Sequence, residues 1–284
     1  MIGVITGPWS EGGLSSSAAV GVAYLLALED INGLKVTSEQ NILLDQAIEN
    51  DYLGLRNGIL DQSGILLSQK DHLTVMDCAT GSHRLIPAGA AADSWSILLA
   101  FSGLRQALTG TDYNRRVAEC AETARILLAA AGRSEEPPVL SCISETEYAA
   151  YQERLPAPLD RRAAHFFSET ARVRAGVEAW QRGDLREFGR LMTASGESSI
   201  RNYECGSPPL IELYEILVRC PGVHGARFSG AGFRGCCIAL VERVAAAQAA
   251  EEITRKYAER QPELVADAPV VIVHSDNGAR KIFP

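Results

Sequence analysis

Apolar residues recur at three- and four-residue intervals through most of this chain, and they run together or alternate over only a few short stretches. Residues 17–32 are a small-residue, apolar run entered from glycines and serines, which predicts a helix. Thr37 and Gln40 have capping-box spacing and open a second helix that carries Ile42, Leu43, Ala47 and Ile48 at helical intervals and ends near Asn50. Further amphipathic segments fall at 113–131, 161–182, 185–195, 208–219 and 242–259, with Val117, Cys120, Ala121, Ala124, Leu127 and Leu128 on one face of the first. Strands are expected at 2–6, 72–78, 94–102 and 270–274, with a polar, alanine-rich turn after 78. Residues 225–241 read as strand, glycine turn, strand. Pro137-Pro138, Pro156 and Pro158 mark connections. The order of elements is that of an α+β protein.

At 284 residues the chain has material for one large domain or two modest ones, and no internal repeat is visible. A net charge of −8 argues against nucleic acid or an anionic membrane surface as partner, and leaves an anionic small molecule open, since that feels only the local field. Seven cysteines, an odd number, point to reduced thiols and a cytoplasmic setting, and none has zinc spacing. No apolar run is long enough to span a membrane.

Candidate chemistry starts at Gly12-Gly13-Leu14-Ser15-Ser16-Ser17-Ala18. Glycines allow close approach of backbone to a ligand, and the helix that follows offers free amides and the positive end of its dipole, an anion site most simply suited to phosphate. A Gly/Ser loop that merely caps a buried helix is the plain alternative. Glu49 sits in a last helical turn, facing the negative end of the dipole, where a solvated surface glutamate is the plain reading. Asp61 lies among Ile59, Leu60, Ile65, Leu66 and Leu67, so it is a helix cap, a paired charge or a functional acid. Gly230-x-Gly232-x-x-Gly235 matches the dinucleotide fingerprint but is followed by a strand rather than a helix, and is rejected as such. No GxxxxGK[ST] loop is present. His165 and His224 are isolated and read as structural.

Taken together these pieces resemble the GHMP small-molecule kinases, and within them the galactokinase branch. Gly12, Gly13, Leu14, Ser15, Ser16 and Ser17 are similar to the family's ATP-phosphate loop. Glu49-Asn50 with Gly58-Ile59-Leu60-Asp61-Gln62 resembles its magnesium and catalytic-acid segment. Tyr113-Asn114 resembles its sugar-contacting stretch, and Ser229 to Cys236, with Gly230 and Gly232, its third, glycine-rich motif. The resemblance implies a two-domain fold, a partial N-terminal S5-like domain over 1–93 and a ferredoxin-like C-terminal domain over 94–284. The family's first motif has no counterpart here, so the chain is expected to be the later part of a longer one.

Asn57 after Arg56, Ser195-Gly196, Cys205-Gly206-Ser207-Pro208 and Gly230-Ala231-Gly232-Phe233-Arg234-Gly235 depart from the galactokinase pattern, and residues 102–108, 202–206 and 226–237 look closest to the galacturonokinases. What this implies is transfer of phosphate from ATP to the anomeric hydroxyl of galacturonic acid. Ser17 and Glu49 would ligate Mg²⁺, Asp61 would orient or deprotonate the hydroxyl, and Tyr113 would contact the sugar. Arg56 is the candidate cation for the uronate carboxylate. Galactose as substrate, and a non-catalytic relative that binds ATP and sugar without turnover, remain as alternatives.

Overall fold

The computed structural model describes residues 14–54, 56–104, 112–230, 232–233 and 235–282. The strand expected at 2–6, and Gly12 and Gly13, lie outside the described residues. Three helices lead: α1 (Ser16–Asn32), α2 (Ser38–Asp51) and α3 (Leu60–Leu67). The capping box that opens α2 is formed, with Thr37 Oγ1 accepting the Gln40 N–H at 3.2 Å and the Gln40 side chain accepting the Thr37 N–H at 3.0 Å.

The apolar residues that mark α2 in the sequence do not share its buried face. Ile42 is buried, but Leu43 and Ile48 are 60% and 38% exposed, whereas Asn41, Asp45 and Glu49 are all at 2% or below. Positions 41, 45 and 49 are one turn apart, so a polar stripe faces α1 and α3. On α1, Val20, Tyr24, Leu28 and Ile31 likewise stay exposed, while Ala18, Val22 and Glu29 are buried. A buried carboxylate costs far more than an exposed leucine, so this inverted pattern belongs to a site rather than to a simple helix pair.

A hairpin follows, with β1 (His72–Met76) antiparallel to β2 (His83–Pro87). The sequence pattern predicts only a turn where β2 lies. The tight turn is shorter, because Gly81 at φ 72° lets Asp77 and Ser82 pair, and the chain re-enters a strand at once. Next come β3 (Trp95–Phe101), α4 (Tyr113–Ala130), α5 (Glu145–Tyr151), α6 (Leu159–Gln181), α7 (Leu185–Arg201) and α8 (Pro208–Val218). Then β4 (Val223–Phe228), β5 (Cys236–Glu242), α9 (Ala246–Arg260) and β6 (Val270–Val273) complete the order. The short α5 is unexpected, although Ser144 and Glu147 form a capping box that marks it.

β4, β5, β3 and β6 pair in that order as one antiparallel sheet. Helices α8 and α9 cover one face, where Leu210, Leu213, Leu217, Ile253 and Tyr257 bury against Leu98, Ala100 and Val241. On the other face Val177 and Trp180 of α6 pack with Trp95 and Leu240, and Trp180 Nε1 donates to the Ile86 carbonyl of β2 at 3.1 Å. Helix α7 lies directly on β4 because both contribute glycine at the crossing. A Cβ on Gly225 would stand 1.8 Å from the Gly189 carbonyl oxygen, and one on Gly189 would stand 2.3 Å from the His224 carbonyl oxygen.

The C-terminal residues run back to the leading helices. Ser275 Oγ donates to Asp71 at 2.9 Å, the Gly278 and Ala279 amides donate to the Ser68 and Ile65 carbonyls, and Lys281 Nζ reaches Asp30 at 2.7 Å. The chain's end therefore holds α3 against the start of β1.

Gly225→Val is expected to lower unfolding free energy by roughly 3 kcal/mol or more, because backbone rather than a flexible side chain occupies the space. Urea denaturation checks it; a loss below about 1 kcal/mol would show that α7 can slide off β4 cheaply.

Candidate active site

Helix α1 begins without a side-chain cap. Its N-cap residue, Ser15, is left-handed at φ 54°, makes no capping hydrogen bond, and is followed by no acid in the first turn. The first amides of α1 are therefore free to meet an anion. Leu14, Ser15 and Ser16 are half-buried and Ser17 is exposed.

Ser17 Oγ donates to Glu49 Oε1 at 2.5 Å, which joins α1 to α2. Glu49 is 2% exposed, not a solvated surface residue. Its other oxygen accepts from Asn57 Nδ2, and from Gln62 Nε2 at 3.1 Å. A buried carboxylate thus has three neutral donors and no ion pair among the described residues. Neutral donors hold the charge without cancelling it, which leaves Glu49 able to take a cation. Ser17 and Glu49 are hard oxygen donors of the kind Mg²⁺ accepts. Among the described residues no three His, Cys, Asp or Glu side chains converge as a metal cage, so phosphate oxygens and water would supply the remaining ligands.

Asp61 is the second residue of α3, immediately before Gln62 and Ser63, which enter the buried seam. It is half-buried and makes no hydrogen bond or ion pair among the described residues. The N-cap position belongs to Ile59, so Asp61 is not the cap of this helix. Tyr113 opens α4 and reaches the same place. Burial raises its hydroxyl pKa, and the Asp61 and Glu49 carboxylates add to that shift.

The start of α4 is anchored from below. Arg116, 3% exposed, donates to the Tyr203 carbonyl at 2.6 Å, and Arg162, fully buried, bridges Glu119, Glu204 and the Asn202 carbonyl. Each guanidinium has its donors matched, the condition for burying one. This network anchors the helix whose first residue is Tyr113.

The other candidates fall outside this cluster. Arg56 is exposed on the link between α2 and α3, five residues before Asp61, with no hydrogen bond or ion pair among the described residues. Gly230 and Gly232 turn between β4 and β5 at φ 62° and 76°. A Cβ on Gly232 would come within 3.1 Å of Phe228 and 3.3 Å of Cys205, so that turn is packed against its own domain. It joins antiparallel strands, which agrees with rejecting the dinucleotide reading. His165 is structural too: Nδ1 lies 2.9 Å from Ser198 Oγ, the ring stacks on Tyr203, and burial pushes its pKa down to about 4.

Comparison with known proteins matches this arrangement. The family profile for the GHMP kinases N terminal domain fits residues 8–69, and that for GHMP kinases C terminal fits residues 177–259. A galacturonokinase of Arabidopsis thaliana is 54% identical over 290 residues, covering 100% of this chain and 68% of the relative. The chain belongs to the GHMP kinases.

Among sugar kinases, a galactokinase of Roseiflexus sp. (strain RS-1) is 35% identical over 81% of this GHMP kinase and 58% of its own length. The chain therefore spans little more than half of that relative and about two thirds of the plant one. The crystal structure of Lactococcus lactis galactokinase complexed with galactose superposes with a TM-score of 0.86 at 29% identity, over 96% of this chain and 68% of that one. The GHMP kinase fold, with N- and C-terminal domains, is thereby shown.

Two residues of this GHMP kinase's site escape a reading by motif. Asn57 stands out in the sequence only as a departure, yet it donates to Glu49. Asp45 gives no signal at all, being one polar residue in an amphipathic helix. It is 1% exposed, and neither carboxylate oxygen has a hydrogen bond of normal geometry. Burial, then the Glu49 carboxylate one turn on, push its pKa up to about 6, against a pull from the Gln62 amide.

The folded state therefore holds the Asp45 proton more tightly than the unfolded chain does. That contribution is whole below the ordinary value of 3.8 and is lost as pH rises towards 6. Asp45→Asn removes the ionisation and is expected to be more stable than the parent by about 1–2 kcal/mol above pH 7, with no difference near pH 4. Denaturant titrations at the two pH values check this; equal stability at high pH would show that Asp45 ionises without cost.

Proposed function

We propose that this protein is an ATP-dependent sugar 1-kinase acting on D-galacturonic acid, with Mg²⁺, in the cytoplasm. The observation that carries the reading is identity at 54% of positions, along the whole chain, to a protein named galacturonokinase. Galactose is the second reading, favoured by the close superposition on a galactokinase that holds that sugar. The domains proposed are 1–93 and 94–284.

In this reading the ATP phosphates meet Gly12, Gly13 and the uncapped amides at Leu14 to Ser17, with the dipole of α1 behind them. Ser17 Oγ and the Glu49 carboxylate hold Mg²⁺, which supplies charge neutralisation on the phosphates. Asn57 and Gln62 keep Glu49 turned towards Ser17. Gly230 and Gly232 bring the β4–β5 turn close to the nucleotide.

Asp61 accepts a hydrogen bond from the anomeric hydroxyl and takes its proton as the oxygen attacks the γ-phosphorus, whose bond to the β–γ bridging oxygen breaks to release ADP. A carboxylate with no hydrogen bond or ion pair among the described residues suits that role. Tyr113 contacts the sugar from the C-terminal side. Arg56 pairs with the uronate carboxylate, a partner its exposed guanidinium lacks among the described residues.

Asp61→Asn is expected to lower turnover by about 10²-fold or more while the nucleotide dissociation constant stays within about twofold. Near-normal kcat in that variant would remove Asp61 from the reaction. Arg56→Ala is expected to raise KM for galacturonate by about tenfold or more and to leave KM for galactose unchanged. An equal effect on both sugars would assign uronate recognition elsewhere.

A further inference from the structure

Helix α3 carries Asp61, yet little of its own holds it in place. It has eight residues, no side-chain cap at Ile59, and the side chains it buries are those of Gln62 and Ser63, both polar. Leu60 is 63% exposed, and Ile65, Leu66 and Leu67 are only half-buried. A helix this short does not persist without tertiary support, which ordinarily comes from an apolar face. The Ser63 hydroxyl turns back on its own segment and donates to the Ile59 carbonyl at 2.5 Å. Gln62 reaches Glu49, so the front of α3 leans on the polar seam that it serves.

The other end is gripped by the residues that follow β6. Ser275 Oγ accepts the Asp71 N–H and donates to the Asp71 carboxylate, both at 2.9 Å, and Asn277 Oδ1 accepts the Lys70 N–H at 3.0 Å. The Gly278 N–H then donates to the Ser68 carbonyl at 2.8 Å, and the Ala279 N–H to the Ile65 carbonyl at 2.6 Å. Carbonyls in a last helical turn have no partner within the helix, and this strap supplies one to Ile65. The contact is backbone on backbone. A Cβ on Gly278 would lie 2.7 Å from the Ile65 carbonyl oxygen and 3.0 Å from that of Leu66. Ile65 lies one turn after Asp61, where an α-helix pairs its amide with the Asp61 carbonyl. The strap leaves directly from β6, which is paired with β3 from Val270 opposite Ala100 to Val273 opposite Ile97.

We propose that residues 275–279 are a positioning element for Asp61: docked on the last turn of α3 and anchored by β6, they set how that helix presents its second residue to the sugar hydroxyl. The proposal rests on the reading of Asp61 as the group that takes the hydroxyl proton. The strap acts through the backbone of α3 and not by contact with sugar or nucleotide. A reacting group displaced by about 1 Å can cost about 10²-fold in rate. Glu49 keeps Ser17 and Asn57 as donors whatever happens to the strap, so nucleotide binding depends on it far less.

The test compares two substitutions at one exposed position. Ala279→Pro deletes the N–H that the Ile65 carbonyl accepts, and Ala279→Ser keeps it. Steady-state kinetics with ATP, Mg²⁺ and galacturonate, titration with nucleotide, and hydrogen exchange along the chain are measured for the parent and both variants. Ala279→Pro is expected to lose about tenfold or more in kcat while its nucleotide dissociation constant stays within about threefold. Its amides at 60–67 are expected to exchange faster while those of β3 and β5 keep the parent rate. Ala279→Ser is expected to match the parent in all three. Gly278→Ala, which keeps every donor and only crowds the strap away from α3, is expected to move in the same direction as Ala279→Pro and replaces it if that variant does not fold. Parent-like kcat in the variant that loosens the strap overturns the proposal. So does an equal loss in Ala279→Ser, or exchange that rises as much in the C-terminal sheet as in α3. A parent protein that binds ATP but transfers phosphate to neither galacturonate nor galactose overturns the reading of Asp61 itself, and that result is seen before any variant is compared.

Discussion

Everything at the candidate active site depends on burying one carboxylate, Glu49, among neutral donors with no positive partner among the described residues. An arginine in that seam would satisfy the charge and abolish its use. Instead Ser17, Asn57 and Gln62 donate from three different pieces of chain, the start of α1, the α2–α3 link and α3. Each of those pieces is placed by its need to reach Glu49, so the requirement for a cation-ready acid also determines how the leading helices meet.

That requirement explains what could and could not be read from the residues alone. The capping box at Thr37, the boundaries of α1, and the strand–turn–strand of β4 and β5 follow from local rules and were legible. The candidate site residues could be singled out where they sit in motifs, as Ser17, Glu49 and Asp61 do. The burial of α2 was not, because hydrophobic periodicity assumes that apolar residues mark the inward face. Here Leu43 and Ile48 turn outward and Asn41, Asp45 and Glu49 turn inward. Nothing in a single sequence distinguishes that case from the ordinary one, since both give a helix with one polar and one apolar side. Asp45 stayed invisible for the same reason, and β2 for another: a five-residue hairpin strand after a glycine turn carries too little pattern to separate from its loop.

The strands of the C-terminal sheet serve this arrangement as a scaffold, apart from the β4–β5 turn. Glycines at 189 and 225 let α7 and β4 touch backbone to backbone, and the loop that leaves α7 is where Arg116 and Arg162 find the carbonyls of residues 202 and 203. That contact fixes α4, and α4 delivers Tyr113 to Asp61 and Glu49. The returning C-terminal residues tie α3 to the strand after it. Packing in one half of the molecule thus sets the geometry of a site whose acids belong to the other, as expected for a kinase whose catalysis is mostly placement and charge.

The most direct test of this account is phosphoryl transfer by the purified protein from ATP in the presence of Mg²⁺, with galacturonate and galactose compared side by side and the product identified by the position of its phosphate. Formation of galacturonate 1-phosphate, with galactose a poorer substrate, is what the account predicts. Phosphorylation of galactose alone would contradict the assigned substrate, and tight ATP binding with no transfer to either sugar would contradict the catalytic role given to Asp61.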